Sequence, residues 1–370
     1  MKLGPKEVEE LRAGLCAWFV ATRRDLPWRR TRDPYAIWIS EAMLQQTRVE
    51  AVIDHYHRFL ARFPTVQALA ASTEDEVVAA WSGLGYYRRA RALREAARVV
   101  VEEHAGVLPS ERDAFRSLPG VGPYTAGAVL SIAYQRGEPL VDGNVVRVFT
   151  RLFGVEDPPG GERERLLWSL AAQLVPPSVP ADEDPELSPR NFNQALMELG
   201  ALICTPRSPR CLVCPVASSC RARVAGNAEE LPKKAPKRAP VDVELEIALV
   251  RDERGVLLVR RPAQGRMAGM WELPTRENAE ADAVLLWPAR FALEIEPGDA
   301  LVELRHGITH HRIRATVQRA ALKRGADAGA SEETLRFVQP GELEDLGLTG
   351  LTRKALRACE AIVAPDEADR

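Results

Sequence analysis

Lysine is missing from most of this chain, with none between Lys6 and Lys233. Chemistry in that stretch that needs a primary amine, such as a Schiff base with a sugar, is therefore excluded. Its cationic side chains are arginines. Nor is there an apolar run of 18 residues, which excludes a hydrophobic helical span. Met1 to Glu10 is charged and helical in pattern, without the apolar centre of a secretory signal. Net charge is almost absent as well: 50 Lys and Arg oppose 52 Asp and Glu, so no global basic field favours nucleic acid. Any such affinity has to come from charge placed locally. Cysteine is scarce, and four of the six fall between Cys204 and Cys220, while Cys16 and Cys359 stand alone in apolar helical patterns. A disulfide framework would spread them more evenly. The expectation is a cytoplasmic protein with one metal site.

At 370 residues the chain is too long for one typical core. Up to about Arg223 it reads as nearly all helix. Apolar residues recur at helical spacing in Glu7–Val20, Val49–Phe63, Glu74–Trp81, Arg88–Glu103, Ala126–Tyr134, Arg163–Leu174 and Asn191–Ile203. Residues 225–241 mix Pro, Lys and small side chains without an apolar period, the composition of an extended linker. Beyond it the period shortens. Val243–Arg251 and Val256–Arg261 alternate as strands around a turn at Asp252–Gly255, and Arg312–Leu322 reads as another strand. Helical patterns over Glu277–Leu286 and Leu351–Val363 complete an α+β domain. The expected division is a helical domain over 1–224, the linker over 225–241, and an α+β domain over 242–363.

Cys204, Cys211, Cys214 and Cys220 are spaced C-x6-C-x2-C-x5-C. Four thiolates so placed can hold a tetrahedral zinc ion or a 4Fe-4S cluster. A single CxxC with unequal flanking gaps fits the cluster better. The run ALICTPRSPRCLVCPVASSC resembles the iron–sulfur loop of the endonuclease III superfamily of DNA glycosylases, and the resemblance extends through the whole helical part. It implies one [4Fe-4S] cluster that folds a loop rather than catalyses. Arg207, Arg210, Arg221 and Arg223 would then reach DNA.

Leu118–Gly122, LPGVG, separates two helical patterns. Two glycines in a tight turn leave backbone N–H groups uncovered at a helix N-terminus, able to hold a phosphate oxygen without side-chain charge. Most short glycine turns are only turns. Here the segment matches the helix-hairpin-helix of the superfamily, about residues 110–134, and Asp142 follows 20 residues after Gly122 in VDGNVVRV. An ordinary N-cap would look the same in sequence. The resemblance implies that Asp142 caps a helix and points into the active site, with Gly120, Val121 and Gly122 on the DNA backbone. Superfamily members that also cut the strand place a lysine 18 residues before this aspartate. Position 124 here is tyrosine, and a phenol forms no Schiff base. A monofunctional glycosylase is expected.

Ile37–Val49, IWISEAMLQQTRV, carries the most specific signal. Glu41 follows Trp38 and Ile39, and a carboxyl among apolar neighbours can stay protonated near neutrality. From position alone it also fits a first-turn glutamate favoured by the helix dipole. SE-x-MLQQT resembles the adenine DNA glycosylase branch, where this glutamate protonates the leaving purine. The resemblance implies Glu41 as acid and Asp142 as the anion that stabilises an oxocarbenium-like sugar, by the logic of retaining glycosidases. It implies Tyr124 and Asn144 as positioning groups. The base has to leave the duplex first. Gln46, Leu84 and Tyr86 match the residues that fill the gap and probe the opposite base, and Thr47 would sit beside it. Arg88, Arg89 and Arg91 suit backbone phosphates or, equally, a solvated helix face.

VLLVRRPAQGRMAGMWELPT resembles the first hairpin of a Nudix-like domain, with a WEFP-type turn at Trp271–Pro274. The metal-binding signature of a working Nudix hydrolase is broken: Arg276–Ala281, RENAEA, lacks its final glutamate, and position 268 is alanine. No pyrophosphatase activity is expected. Where the family's recognition loop usually reads F-S-H, this chain has Ile308-Thr309-His310; Thr309 keeps the hydroxyl that would touch 8-oxoguanine. His306, His310 and His311 have no acidic or cysteine partner nearby in sequence, and no metal is assigned to them.

The expected fold is therefore an all-α helix-hairpin-helix glycosylase core with an iron–sulfur loop, plus a C-terminal α+β Nudix-like domain. The expected function is excision of adenine opposite 8-oxoguanine or guanine in double-stranded DNA by a bacterial-type, cytoplasmic monomer that associates with the nucleoid on DNA. Two other readings compete. An endonuclease III-like lyase for oxidised pyrimidines is opposed by Tyr124 and by the added domain. A non-catalytic DNA-binding scaffold is opposed by the retention of both Glu41 and Asp142.

Overall fold

The computed structural model describes residues 1–235, 239–262, 264–265, 267–277, 293–324 and 333–363. The helices are α1 (Pro5–Thr22), α2 (Pro34–Leu44), α3 (Val49–Arg62), α4 (Val66–Ala71), α5 (Glu74–Ala80), α6 (Arg88–Glu103), α7 (Arg112–Arg116), α8 (Pro123–Tyr134), α9 (Gly143–Leu152), α10 (Gly161–Leu174), α11 (Pro189–Leu202), α12 (Arg221–Ala225) and α13 (Gly350–Val363). The chain forms two compact units, Met1–Ser72 with Arg88–Pro236, and Thr73–Tyr87 with Lys237–Arg370. No described helix is long and apolar enough to cross a membrane.

The first unit is entirely helical and is built around two helices that are apolar on every side. In α2 each residue from Tyr35 to Met43 is buried, and in α8 each from Thr125 to Ala133. A helix without a polar face must sit inside a bundle, and α2 packs on α8 while α11 packs on α1, α8 and α9. Local signals start these helices where the site needs them. Asp33 accepts from the Tyr35 amide ahead of α2, with Pro34 at its first turn, and Ser188 does the same for Asn191 ahead of α11. The hairpin before α8 turns at Gly120, whose φ of 73° is left-handed; a Cβ there would also stand 2.5 Å from the Ala92 Cβ.

The second unit is a seven-stranded mixed sheet with helices. Its strands are β1 (Val241–Asp252), β2 (Gly255–Arg260), β3 (Trp271–Glu272), β4 (Thr275–Glu277), β5 (Glu294–Ile308), β6 (His311–Arg324) and β7 (Leu335–Val338). The main order is β3-β2-β1-β6-β5, with β4 on β1 and β7 on β2. β1 and β6 run parallel from Val241 opposite His311 to Val250 opposite Ala320, whereas β5 and β6 form a long antiparallel hairpin. Alternation along β1 sends Val243, Ile247 and Leu249 into one core with Trp271 and Leu356, and Ala248 and Val250 into a second with Leu257 and Ile295.

The helical core and the α+β sheet domain agree with the expected fold class. Glu277 ends a strand rather than beginning a helix, and the rest of the expected helix Glu277–Leu286 lies outside the described residues. The long strand β5 had no alternating signal strong enough to read. Thr73–Tyr87 falls within the expected helical domain of 1–224 yet groups with the sheet. Arg260 on β2 pairs with Asp75 at 3.2 Å and Glu74 at 3.6 Å, and Gly347 lies against Val78. These contacts come from residues far apart in sequence, which no local period can announce.

Helices α11 and α9 meet so closely at Gly200 that an added Cβ would lie 2.5 Å from the Asn144 Cβ and 3.0 Å from its Cα. Backbone cannot yield as a flexible side chain does, so Gly200→Ala should destabilise the fold by about 1–3 kcal/mol. Thermal unfolding checks this, and an unchanged midpoint would show that the two helices separate freely.

Candidate active site

Glu41 lies in the last turn of α2 and is only 3% exposed. The first-turn position considered from sequence is thus corrected: the helix begins at Pro34, seven residues earlier. At a helix C-terminus the dipole disfavours an anion. Burial pushes the Glu41 carboxyl up to about 7; a hydrogen bond from Tyr124 opposes the rise, the charge of Asp142 adds to it, and Arg29 opposes it. The Tyr124 hydroxyl, set one residue into α8 by the hairpin, is 2.6 Å from Glu41 Oε2 and 3.4 Å from Met197 Sδ. Burial, with the charges of Glu41 and Asp142 next, raises its own pKa well above that of free tyrosine. The phenol therefore keeps its proton and donates it.

Asp142 caps α9, accepting from the Val145 amide at 2.7 Å. Its other oxygen accepts from Asn144 Nδ2 at 2.9 Å. Burial raises its pKa, and the hydrogen bonds from Val145 and Asn144 and the charge of Arg147 hold it back. A buried carboxyl raised to about neutrality thus holds the phenol, and a half-buried one, supplied with donors that favour its anion, lies within electrostatic reach of both. Asn144 is itself fixed, because Arg147 donates to its Oδ1 at 2.8 Å and also to the carbonyls of Gly200 and Cys204, both at 2.7 Å.

Arg24, Arg29 and Glu198 were not singled out in the sequence. Glu198 on α11 is 1% exposed and pairs with Arg24 at 2.6 Å and Arg29 at 2.9 Å. Burial alone would raise its pKa, yet the hydrogen bonds from Arg24 and Arg29 carry it down to about 2. This triad fixes Arg29, whose charge is felt at Glu41. A glutamate buried on an apolar helix face of a stretch without lysine was the signal available.

Gln46 and Thr47 follow α2 directly. Arg89 donates to the carbonyls of Ala42, Met43 and Gln45 and reaches Thr47 Oγ1 at 3.3 Å. That corrects its expected place on a phosphate or a solvated face: Arg89 caps the C-terminus of α2, where the orphan carbonyls are. Gln45, also unanticipated, donates to Thr125 Oγ1 at 3.1 Å. Leu84, Tyr86 and Thr309 belong to the second unit. Tyr86 is 53% exposed in a turn that Trp81 closes through Gly85, whereas Leu84 is buried. Gln46, Tyr86 and Thr309 all have left-handed backbones, with φ of 59°, 48° and 55°. Such strain in residues other than glycine concentrates at functional positions.

Cys204, Cys211, Cys214 and Cys220 are free thiols that ring one small void together with Arg151. Burial pushes the Cys214 thiol up to about 11, and the facing sulfurs add to the rise. Four cysteines around one void fit a cationic centre that stabilises their thiolates. Arg151 is 1% exposed and donates to the Thr205 carbonyl at 2.7 Å, the Leu231 carbonyl at 3.0 Å and Cys204 Sγ at 3.4 Å. Arg207 and Arg210 are exposed on this loop, while Arg221 and Arg223 donate to the carbonyls of Phe153 and Ala217.

Known proteins resemble this chain in sequence and fold. Residues 39–173 match the HhH-GPD superfamily of base excision DNA repair proteins, 204–220 the iron–sulfur binding domain of endonuclease III, and 246–358 the NUDIX domain. The adenine DNA glycosylase of Rattus norvegicus is 35% identical, over 96% of this chain and 78% of its own. That of Homo sapiens is 34% identical over 95% and 74%, and that of Mycolicibacterium smegmatis 45% over 57% and 69%. Among solved structures, a thermostable thymine-DNA glycosylase superposes with a TM-score of 0.52 at 33% identity, covering 60% of this chain and 98% of that one.

Arg151, with Arg147, ties the cysteine loop to α9. In Arg151→Met the Thr205 and Leu231 carbonyls lose their buried donor, at about 1–3 kcal/mol each. The variant should purify with less iron and sulfide per chain than the parent. Equal metal and sulfide content would remove Arg151 from the support of the loop.

Proposed function

The chain belongs to the adenine DNA glycosylase family, and from that premise we propose that it excises adenine paired with 8-oxoguanine or guanine in duplex DNA. The observation that carries the reading is the Tyr124 hydroxyl donating at 2.6 Å to a buried Glu41 raised to about 7, with the charge of the capped Asp142 felt at both groups. Glu41 enters protonated and passes its proton to a ring nitrogen of the everted adenine. The N-glycosidic bond breaks with its electron pair going to the base. Asp142, held anionic by Val145 and Asn144, stabilises the positive charge that develops on the sugar. Tyr124 orients the Glu41 carboxyl, and water completes the exchange at the anomeric carbon.

Position 124 and the absence of lysine from 7–232 support a glycosylase without lyase chemistry. Gln46, Thr47, Leu84 and Tyr86 take the roles of filling and probing the helix, and Gly120, Val121 and Gly122 hold a phosphate at the start of α8. Thr309, at the exposed tip of the β5–β6 hairpin, meets the base opposite the adenine. The four cysteines hold one [4Fe-4S] cluster, which keeps the loop over 204–220 folded. The enzyme acts as a monomer.

Labelled duplexes with a central 8-oxoguanine:A, G:A, T:A or oxidised pyrimidine pair test this directly. Breaks in the 8-oxoguanine:A duplex only after hot alkali are expected, and breaks without alkali at the oxidised pyrimidine would overturn the assignment. Glu41→Gln should lose about 10²–10⁴-fold in single-turnover excision while still binding DNA.

The acid must be protonated, so excision should fall about tenfold per unit as pH rises above about 7. Asp142 must be ionised, so the rate should also fall at acid pH, through a value above the usual aspartate range. Tyr124→Phe removes the donor that favours ionised Glu41 and should move the alkaline limb to higher pH. An alkaline limb in the same place would mean that Tyr124 does not tune the acid.

A further inference from the structure

Gln45 is the first residue past α2, and its backbone already leaves the helix, with φ −58° and ψ 112°. Its side chain turns back towards the bundle: Nε2 donates to Thr125 Oγ1 on α8 at 3.1 Å, across 80 residues of chain. Its carbonyl accepts from Arg89 of α6. Gln45 is thus held at both ends, and its partner Thr125 is buried. Glu41 precedes Gln45 by one helical turn, while Tyr124 and Thr125 are neighbours at the start of α8. Two hydrogen bonds therefore join the same two helix ends, Tyr124 to Glu41 and Gln45 to Thr125. One bond fixes a distance; a second beside it fixes the orientation of the two ends as well.

Two further observations show that these bonds hold a shape that would not hold itself. Gln45 and Thr125 line, with Trp38, Gly120 and Val121, a void of about 30 Å³, so packing alone does not close the seam between the helix ends. Gln46, the next residue, has a left-handed φ of 59°. Such strain in a residue other than glycine persists only where its surroundings over-determine it. Gln45 supplies that constraint on one side, through its carbonyl on Arg89 and its side chain on Thr125.

We propose that Gln45 is a positioning residue for the proton donor: its bond to Thr125 sets the approach of the Glu41 carboxyl to the Tyr124 hydroxyl. This rests on the acid role proposed above for Glu41 and concerns the geometry of that same site. The charges felt at Glu41 are those of Asp142, ahead of α9, and Arg29, in the turn before α2. Tyr124 meets it from α8, and Arg89 from α6 binds carbonyls of the same helix end. Gln45 is neutral, so replacing it leaves every one of these charges in place. A change in the protonation of Glu41 then reports geometry. Cutting the tie loosens the Tyr124 donor, and a carboxylate that loses a donor keeps its proton to higher pH.

The test uses the full chain. Gln45→Met keeps the side-chain length and loses the donor, Thr125→Val loses the acceptor, and Thr125→Ser keeps it. Single-turnover excision is followed on an 8-oxoguanine:A duplex across pH. Isotope-edited NMR follows titration of the Glu41 carboxyl in the free protein, its signal assigned by its loss in Glu41→Gln. Gln45→Met and Thr125→Val should each lose about ten- to a hundredfold in rate, move the alkaline limb to higher pH and shift the Glu41 titration the same way. Their double variant should lose no more than either alone, since both remove one bond, and Thr125→Ser should match the parent. A parental rate and limb in Gln45→Met, an additive loss in the double variant, or a Thr125→Ser as impaired as Thr125→Val overturns the proposal. The titration does not depend on turnover. If the parent excises no adenine while the Glu41 titration still shifts in Gln45→Met, the catalytic reading fails and the positioning stands; if the parent excises adenine and the titration does not move, the positioning fails alone.

Discussion

One constraint shapes the centre of the helical unit: a buried carboxyl, Glu41, and a half-buried one, Asp142, lie within electrostatic reach of each other and are supplied with different donors. A buried carboxylate without donors is expensive, and it responds by taking up a proton. Glu41 does so, at the C-terminal end of an apolar helix where the dipole also disfavours charge. Asp142 sits instead at a helix N-terminus, where a backbone amide and the Asn144 amide supply donors. Opposite helix ends thus give the same functional group opposite roles. The Tyr124 phenol, bonded to Glu41, cannot ionise in that setting, so it serves as a fixed donor.

Placing those two helix ends requires the rest of the bundle. α2 is buried against α8, α3 and α6, and α8 against α2, α11 and α7, and so their ends cannot slide. The C-terminal end of α2 is closed by Arg89 from α6, which also fixes the turn holding Gln46 and Thr47. Asn144 is held by Arg147, and Arg147 in turn by carbonyls of Gly200 and Cys204. The cysteine loop is therefore continuous, through backbone carbonyls and guanidinium forks, with the side chain that orients Asp142. A loop of this length with little apolar content has few other means of holding its shape.

What was legible in the sequence followed from how local each signal is. The helical periods, the change of period after residue 241, the cysteine spacing and the hairpin before Asp142 all arise within short stretches, and the structure contains the corresponding elements. Glu41 and Tyr124 could be singled out from motifs, but not their contact at 2.6 Å across 83 residues. The Arg24–Arg29–Glu198 triad was invisible because its partners lie more than 165 residues apart. Arg89 was misjudged for a related reason: an arginine on a helix looks the same whether it faces solvent or caps a distant helix end. The grouping of Thr73–Tyr87 with the sheet depends on Arg260 meeting Asp75 and Glu74, and on Gly347 meeting Val78, all set by tertiary packing.

The lysine-free stretch acquires a physical meaning at this level. A buried lysine can surrender its proton and become a nucleophile, whereas arginine stays charged and must be given acceptors. Arg29, Arg147, Arg151 and Arg190 are all supplied with them, by Glu198 in one case and by backbone carbonyls in the others. The cations nearest the two carboxyls are thus structural by chemistry as well as by position: they set local potential and tie loops to helices, and none can attack a sugar. With Tyr124 bonded to Glu41 and no lysine between Lys6 and Lys233, the site suits the proposed reaction, in which a leaving base is protonated and the cation left behind is stabilised. No side chain of residues 7–232 can form a Schiff base to a sugar, and this bounds the reaction proposed.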